Sequence, residues 1–494
     1  MNMGTISAFA IYLIGMLAIG FWCWKMTSNL SDYILGGRGL NAPVAALSAG
    51  ASDMSGWLLL GLPGAIYAAG MNQIWIGVGL VIGAYLNWQF VARPLRVYTE
   101  VAEDSLTIPD YLENRFKDSS HLLRVISAIV ILLFFTFYVS AGLVGGATLF
   151  QNTFNLPYDI ALWSGVIVIV SYTFLGGFLA VSWTDFVQGI LMFVALILVP
   201  VIAINDLGGW SAVTERVAAT NTGYNDVFTD MTLLGIVSLL AWGLGYFGQP
   251  HILARFMAIR SAADIPTARL INMAWMIFGL YGAIFTGYAG IAYFADQPLE
   301  NPETVFITFG QILFNPWVSG FLLAAILAAI MSTIDSQLLV CSSALAEDFY
   351  RSLFRRNASQ AELVWVSRIS VIGIALVATL LAMDPDSRVL DLVGYAWAGF
   401  GAAFGPIIIL SLFWRRMTRN GAAAGLVVGA VTVVVWKQLS GGLFDLYEIV
   451  PGFILCWLAV VVVSRAGEPS ARVLADYDKV ADARANGRAA LAGK

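Results

Sequence analysis

The stretch between Arg38 and Arg93 contains more than fifty residues and only one charged side chain, that of Asp53. The hydrocarbon core of a bilayer takes about twenty apolar residues per helix, so this stretch is long enough to cross a membrane twice. In lipid every backbone N–H and C=O must find a partner inside the protein, and a helix meets this requirement by itself. The stretch therefore predicts membrane-spanning helices.

Apolar blocks of similar length recur along the whole chain. Hydrophobic residues make up 59% of the 494 residues and charged residues only 12%, far from the averages of soluble proteins. We predict an all-α integral membrane protein with about 13 transmembrane helices. The predicted spans cover residues 5–24, 41–68, 72–92, 124–150, 159–180, 188–204, 232–250, 271–294, 317–346, 364–383, 389–413, 421–437 and 447–464.

The basic residues predict the orientation of these spans. If the amino terminus lies outside, all of the 26 Lys and Arg except Arg216, Arg388 and Lys437 fall in inner loops or in the carboxyl-terminal tail. Such an excess of basic residues is typical of cytoplasmic loops. We therefore expect an outer amino terminus and a cytoplasmic carboxyl terminus.

Asp53 lies within the second predicted span, in the segment Gly50-Ala51-Ser52-Asp53-Met54-Ser55-Gly56-Trp57. An acid at membrane depth costs about 2.5 to 3.5 kcal/mol on insertion scales, so it must face a partner, an ion or a water-filled cavity. The glycines and small polar residues around it weaken a helix, which frees backbone carbonyls beside the acid. Asp53 is therefore the strongest single indication of function.

The seventh span also has a helix-breaking sequence. Residues 241–250 read AWGLGYFGQP, and three glycines with a proline argue against an unbroken helix. A kinked packing helix with glycines at close contacts is the alternative. Spans two to six and seven to eleven are equal in number and opposite in direction. Broken helices at matching positions of two inverted halves are typical of a transporter site at the bilayer midplane.

This symmetry predicts the domain organisation. The first inverted repeat covers residues 41–230 and the second covers 231–415. An N-terminal extra helix and inner loop (1–40) precede them, and two C-terminal helices (416–464) and a cytoplasmic tail (465–494) follow.

Two inner segments carry local signals of their own. Thr107-Ile108-Pro109-Asp110 is a capping-box pattern, which predicts the start of a short cytoplasmic helix. The tail after Arg465 alternates Ala with both charges, and we expect it to be solvated and partly helical.

The ninth span supplies hydroxyl groups at one position. Ser332, Asp335 and Ser336 share one helical face, and Thr333 lies at its edge. Hydroxyls together with freed carbonyls form a neutral oxygen cage that suits a hard monovalent cation. Bonding of these hydroxyls to the carbonyl one turn back is the alternative. Asp335 is a second buried acid and needs a partner.

Catalysis has little support in the sequence. His121 and His251 are the only histidines, they do not have a metal-ligand spacing, and no nucleophile has an adjacent base. The net charge is only −5, and no basic run points to nucleic acid. We therefore predict that the protein is not an enzyme, with a channel or a sensor as a less favoured class.

Several motifs carry a family resemblance that covers nearly every span. Gly50 to Trp57 resembles the second helix of the solute:sodium symporter family. The stretch from Tyr172 to Asp185, YTFLGGFLAVSWTD, is similar to the family signature between spans five and six, and Phe413 to Ala422, FWRRMTRNGA, resembles its late signature. The segments that resemble the proline-carrying branch are Trp242 to Arg255, Leu338 to Ala346 and Trp436-Lys437-Gln438.

The resemblance implies a leucine-transporter-like fold of two inverted five-helix repeats, and import of L-proline by sodium symport. In that family, carbonyls of the broken second helix and hydroxyls of the ninth hold Na⁺. Asp53 resembles the acid that guides or coordinates the ion, and Asp335 stands where a neutral residue is expected in some proline carriers. The implied sodium ligands are Ala51, Met54, Ala329, Ser332 and Thr333.

The implied substrate contacts lie on spans two, four and seven. They are Ser55, Gly56, Trp57, Tyr138, Trp242 and Tyr246. The chemistry of a zwitterionic amino acid agrees with this set, because a half-helix amino end attracts its carboxylate and aromatic faces attract its ammonium. Trp57, Trp242 and Tyr246 are the expected walls; aromatic residues that only fill a core are the alternative.

Arg38, Asp185 and Asp335 are candidate gating or coupling residues. Asp185 fits the inner exit path of the ion or, as the alternative, a solvated loop charge. Arg38 fits a gate at the inner mouth of span two or an anchor of the positive-inside type. The resemblance further implies a multi-pass protein of the bacterial plasma (inner) membrane. A sodium symporter for another small solute, such as pantothenate or a monocarboxylate, is the runner-up.

Overall fold

A computed structural model describes residues 2–25, 29–175 and 177–485, and every regular element in these residues is helical. The α-helices are α1 Met3–Trp24, α2 Leu30–Leu35, α3 Ala42–Asp53, α4 Leu62–Ala69, α5 Ile74–Leu86, α6 Ala92–Val101, α7 Ile108–Phe116, α8 Leu122–Phe154, α9 Tyr158–Leu175, α10 Phe178–Asp206, α11 Trp210–Thr220, α12 Leu233–Leu240, α13 Pro250–Ala258, α14 Ile265–Tyr293, α15 Val305–Ile312, α16 Pro316–Ser343, α17 Gln360–Leu381, α18 Val389–Phe413, α19 Arg419–Trp436, α20 Ile449–Arg465 and α21 Ala471–Ala485.

Tighter and wider helical turns join or interrupt these helices. The 3₁₀ segments are Gly36–Arg38, Met71–Gln73, Thr222–Asn225, Ala241–Gly248, Ala262–Asp264, Pro302–Thr304 and Gly442–Asp445. The π segments are Trp57–Gly61, Asn87–Val91 and Ala344–Phe354.

The helix lengths confirm an all-α membrane fold. Within the described part of the chain, 9 helices are long and apolar enough to cross a membrane, and a bent pair, Leu233–Gly248 with Pro250–Ala258, makes 10. Three shorter apolar helices lie in predicted spans two, five and thirteen. The number of thirteen spans therefore stays a prediction.

Span two is interrupted at the predicted place. α3 begins after Asn41, whose side chain accepts a hydrogen bond from the backbone N–H of Val44 at 3.0 Å. The helix ends at Asp53 because Met54 leaves the helical region, with φ −87° and ψ 78°. Helical structure resumes at Trp57, so the interruption is short and sharp.

Span seven unwinds over a longer stretch. α12 ends at Leu240, residues Ala241–Gly248 form a 3₁₀ segment, and α13 follows after a bend of 45°. Neighbouring helices occupy the space that side chains would need. A Cβ atom on Gly245 would overlap the indole ring of Trp397, so the glycine permits this close packing.

The two half-helices that are predicted to form the inner halves of the broken spans lie together. α3 packs against α13. The backbone N–H of Leu40 donates to the oxygen of Ala258 at 3.2 Å, and that of Arg260 donates to the oxygen of Leu40 at 2.9 Å. α16 also packs against α3. This arrangement places the hydroxyls of span nine beside the first interruption.

Short helices lie in the connections between spans, and the sequence predicted one of them. The short inner helix is confirmed as α7, and the Thr107 hydroxyl accepts a hydrogen bond from the backbone N–H of Asp110 at 3.1 Å. The sequence did not predict α11 and α15, which lie in the predicted outer loops, because their short apolar patterns resemble those of loops.

The tail is not simply solvated, which corrects the expectation from its composition. In α21 the side chains of Val473, Tyr477 and Val480 are buried. Arg415 donates to both carboxylate oxygens of Asp478, at 2.8 and 2.9 Å. Apolar residues at helical spacing hold this helix against the inner face. Residues 486–494 of the predicted tail lie outside the described residues.

Candidate functional site

Four oxygen atoms from spans two and nine converge beside the first interruption. The Ser332 hydroxyl lies 2.7 Å from the backbone oxygen of Ala51 and 3.1 Å from that of Ala329. The Thr333 hydroxyl lies 3.4 and 3.2 Å from the same two oxygens. All four residues are buried. The structure thus brings together four of the five implied sodium ligands, and the fifth, Met54, is buried at the interruption itself.

Both interpretations of the span-nine hydroxyls hold in this geometry. Each hydroxyl reaches Ala329 one turn back, and each also reaches Ala51 on another helix. A hydroxyl has one proton and two lone pairs, so its oxygen can face a cation while its proton bonds a carbonyl. The cluster therefore offers hard, neutral oxygen ligands of the type that suits Na⁺.

The Asp53 carboxylate links the two broken spans. Its Oδ2 accepts a hydrogen bond from the Tyr246 hydroxyl at 2.5 Å, whereas its Oδ1 is buried and has no hydrogen-bond partner among the described residues. The backbone oxygen of Asp53 accepts hydrogen bonds from the Trp57 indole and the Tyr138 hydroxyl, each at 3.3 Å. Burying a carboxylate oxygen without a partner is costly. Oδ1 therefore marks a position where a cation would be stabilised.

The other implied substrate residues line the same region. The rings of Trp57 and Trp242 lie with centroids 6.4 Å apart and a tilt of 42° between their planes. The Ser55 hydroxyl accepts a hydrogen bond from the backbone N–H of Trp57 at 3.4 Å. Gly56 faces Ile330, since a Cβ atom there would lie 2.9 Å from the Ile330 side chain. Aromatic residues of spans two, four and seven therefore lie around the first interruption.

A buried ion pair lies one turn further along α16, toward the predicted inner side. Arg255, on α13, donates from Nη2 to Asp185 at 3.0 Å and to the Ser336 hydroxyl at 2.6 Å. Asp185 also accepts a hydrogen bond from Ser48 at 2.7 Å. Both charged side chains are 0% exposed. Asp185 is therefore not a solvated loop charge.

Sequence reasoning missed the role of Arg255, which it counted among the inner-loop basic residues. The signal was its place in the apolar half-helix Pro250–Ala258, where an arginine must have a partner. The rest of its guanidinium is also used, because Nε donates to Ser48 at 3.0 Å and Nη1 donates to the His251 oxygen at 3.0 Å.

Asp335 lies close to this ion pair without joining it. Its Oδ1 accepts a hydrogen bond from the Thr173 hydroxyl, and its Oδ2 is buried and has no hydrogen-bond partner in the part of the chain that the structure describes. Thr173 and Asp185 both belong to the motif between spans five and six, of which Gly176 lies outside the described residues. That motif thus supplies partners for two charged side chains of the core.

Arg38 joins several elements at the predicted inner mouth. It donates to Asp104 at 2.8 Å, to the Thr99 hydroxyl at 3.1 Å, and to the backbone oxygens of Met257 and Ser105 at 2.8 Å each. Burial lowers the pKa of the Arg38 guanidinium, and the Asp104 carboxylate opposes this effect. These contacts connect the inner end of α6 with that of α13, which exceeds what a simple membrane anchor needs.

Comparison with known proteins agrees with the geometry. Residues 33–429 match the Sodium:solute symporter family. The chain is 55% identical over 481 residues to a sodium/proline symporter of Salmonella typhimurium, covering 96% of this chain and 95% of the relative. It is 56% identical to a sodium/proline symporter of Escherichia coli, with 94% and 93% covered, and 54% identical to the high-affinity proline transporter PutP of Bacillus subtilis, with 93% and 98% covered.

Solved structures support the fold. A Na⁺-coupled sialic acid symporter in a substrate-bound outward-open state superposes with a TM-score of 0.80 at 18% identity, covering 95% of this chain and 99% of that one. At this identity the likeness concerns the fold alone, and it confirms the expected architecture.

Proposed function

The chain belongs to the sodium:solute symporter family, and we propose that it imports L-proline together with Na⁺ by alternating access around a midplane site. The observation that carries this proposal is the direct link between an oxygen cluster and a group of buried aromatic side chains. Asp53 follows the cluster residue Ala51 by two positions and bonds Tyr246 of the aromatic group at 2.5 Å. An ion and a solute would therefore occupy adjacent positions.

The proposed sodium site consists of the oxygens of Ala51, Met54, Ala329, Ser332 and Thr333, with Asp53 nearby. The spacing of the hydroxyl and carbonyl oxygens supports this assignment. When Na⁺ is bound, these oxygens would replace part of its hydration shell, and the charge of Asp53 would favour its entry. A cation held here would fix the end of α3 against α16.

The proposed solute site lies between the two interruptions. Trp57, Trp242, Tyr138 and Tyr246 supply aromatic walls, and Ser55 and Gly56 supply backbone groups in the first break. The solute's carboxylate would meet backbone N–H groups at the start of the helix after Gly56. Its ammonium would lie against the aromatic faces and toward Oδ1 of Asp53.

Coupling follows if the ion and the solute order the same elements. We propose that Na⁺ draws spans two and nine together, completes the solute site and favours the outward-open state, after which the solute permits closure and inward release. Arg38, Asp185 and Asp335 lie on the inner side of the sodium cluster and are proposed to act in that release. One Na⁺ moving through ~100 mV releases about 2.3 kcal/mol, and a tenfold sodium gradient adds about 1.4.

The proposed setting is the bacterial inner membrane, with the amino terminus outside and the carboxyl terminus in the cytoplasm. The distribution of Lys and Arg supports this orientation. The two inverted repeats, residues 41–230 and 231–415, are proposed to move relative to one another during transport. The family consists of symporters, so no enzymatic step is assigned.

Uptake of radiolabelled L-proline into proteoliposomes tests the proposal. An inward Na⁺ gradient should drive accumulation above equilibrium, and replacement of Na⁺ by K⁺ should abolish it. Excess pantothenate or a short monocarboxylate should not compete. Stronger competition by either compound than by unlabelled proline would assign the other solute, and non-saturating flux at channel rates would reject the carrier mechanism.

A further inference from the structure

Trp242 is held on two sides by aromatic residues that no sequence motif singled out. The indole N–H of Trp397, on α18, donates to the backbone oxygen of Trp242 at 2.7 Å. The ring of Tyr447 stacks on the ring of Trp242, with centroids 5.5 Å apart and planes tilted by 27°. The backbone and the side chain of Trp242 are therefore both fixed from outside span seven.

Both holding residues are themselves anchored on α18. The Tyr447 hydroxyl donates to the backbone oxygen of Gly394 at 2.6 Å, and Gly394 lies about one helical turn before Trp397. Trp397 is 1% exposed and packs edge-on against Tyr246, with centroids 5.1 Å apart. Contacts with α18 thus position Trp242 and Tyr246, the two aromatic residues that span seven contributes.

Tyr447 comes from the segment before α20, outside both predicted repeats. Its backbone N–H donates to the Ser238 hydroxyl of α12 at 3.0 Å, so Tyr447 connects α12 with α18 across the Trp242 ring. On its other side Trp242 faces Trp57. The rings of Tyr447, Trp242 and Trp57 therefore form a series, and Trp57 lies directly after the first interruption.

We propose that Trp397 and Tyr447 are positioning residues that determine the fit of the solute by fixing Trp242. This inference rests on the proposed function, in which Trp242 contacts the solute. The hydrogen bonds described for the two residues go to span seven and α18, whereas the proposed sodium ligands lie on α3, α16 and the first interruption. Their loss should therefore change the binding of the solute and leave the binding of Na⁺ unchanged.

The test uses Tyr447→Phe and Trp397→Phe in proteoliposomes, each of which removes one hydrogen-bond donor and keeps an aromatic ring. Loss of one such bond should raise KM for proline roughly threefold to tenfold. Because the bond orients the aromatic walls without taking part in the movement, kcat should stay within about twofold. The Na⁺ affinity measured without proline should also stay within about twofold, because the reciprocal coupling between ion and solute does not act when the solute is absent. Tyr158→Phe is the matched control, since the Tyr158 hydroxyl donates to the Ala382 oxygen at 2.7 Å between α9 and the end of α17.

The inference is overturned if the full-length wild type transports proline and KM is unchanged in both variants. It is also overturned if Tyr158→Phe raises KM equally, or if the Na⁺ affinity measured without proline falls in parallel with the rise in KM. If Trp397→Phe does not fold, Tyr447→Phe decides alone. A wild type without Na⁺-driven proline uptake would refute the proposed function itself, and this inference with it.

Discussion

The two broken spans interrupt their helices in different ways. Span two breaks sharply after Asp53 and resumes at Trp57, whereas span seven unwinds through eight residues of 3₁₀ structure and bends by 45°. The first break presents a backbone oxygen and a carboxylate. The second presents the Trp242 and Tyr246 side chains. In the proposed function the first break therefore contributes to both the ion site and the solute site, and the second break contributes to the solute site.

The causes of the two breaks differ as well. The first follows from local sequence, because small residues around Asp53 weaken the helix and Met54 leaves it. The second also has helix-breaking residues in its sequence, but it depends on packing as well, because α18 fills the space beside Gly245 and binds the backbone of Trp242. The proposed ion site thus depends on oxygens that are fixed over a short distance. The proposed solute site depends on aromatic side chains that neighbouring helices hold in place.

The largest expected effect is that of Asp53→Asn. This substitution removes a charge that lies in the first break and accepts a hydrogen bond from Tyr246 in the second. Hydrogen bonds to charged groups contribute about 1.5–3 kcal/mol and every 1.4 kcal/mol is tenfold, so kcat/KM for proline should fall by about a hundredfold. The half-saturating Na⁺ concentration should rise as well. Initial uptake rates at a series of Na⁺ concentrations measure both quantities.

Asp159→Asn is the matched control, because Asp159 is an exposed acid in the first turn of α9. Its kinetics should equal those of the wild type. Normal sodium dependence in Asp53→Asn would mean that the carboxylate contributes neither to Na⁺ binding nor to solute binding.

Alanine at Gly245 should destabilise the protein more than alanine at Gly56. A Cβ atom at Gly245 overlaps the Trp397 indole, which is buried and hydrogen-bonded, whereas at Gly56 it meets the flexible side chain of Ile330 at 2.9 Å. Overpacking of this kind costs about 1–3 kcal/mol. Thermal unfolding of the two variants in detergent compares the breaks directly, and equal Tm values would show that packing does not maintain the second one.

The smallest of the three effects is expected at the ion site. Ser332→Ala removes one of several proposed ligands, so the half-saturating Na⁺ concentration should rise by about threefold to tenfold, as for the loss of one hydrogen-bonding group. Ser342→Ala is the matched control on the same helix, because the Ser342 hydroxyl donates to the Leu339 oxygen one turn back, at 2.9 Å, and lies more than two turns from Ser332 along α16. A rise of equal size in both variants would remove Ser332 from the ion site.

Sequence reasoning predicted the residues of the oxygen cluster in two ways, the hydroxyls from their helical spacing and the carbonyls of Ala51 and Ala329 from the family resemblance. A lone acid among small residues predicts the first break, and hydroxyls at helical spacing predict the face of span nine. The structure places the Ser332 hydroxyl 2.7 Å from the Ala51 oxygen, a distance that no local pattern states. All five sodium ligands and the role of the Asp53 charge stay a prediction.

The features that were missed depend on contacts between distant segments. Arg255 resembles any inner-loop arginine until Asp185, 70 residues away in sequence, is placed beside it. Trp397 and Tyr447 resemble ordinary core or interface aromatics, and their relation to Trp242 appears only when α18 lies against span seven. The docking of α21 was missed because the charges of the tail outnumber its few buried apolar residues.

The most direct test of the account is the affinity of the purified protein for proline with and without Na⁺. Proline binding measured by isothermal titration calorimetry should be tight in NaCl and weak in KCl, and Ser332→Ala should need more NaCl to reach the same affinity. Equal proline affinity in the two salts would contradict the claim that the ion cluster and the aromatic group act as one site.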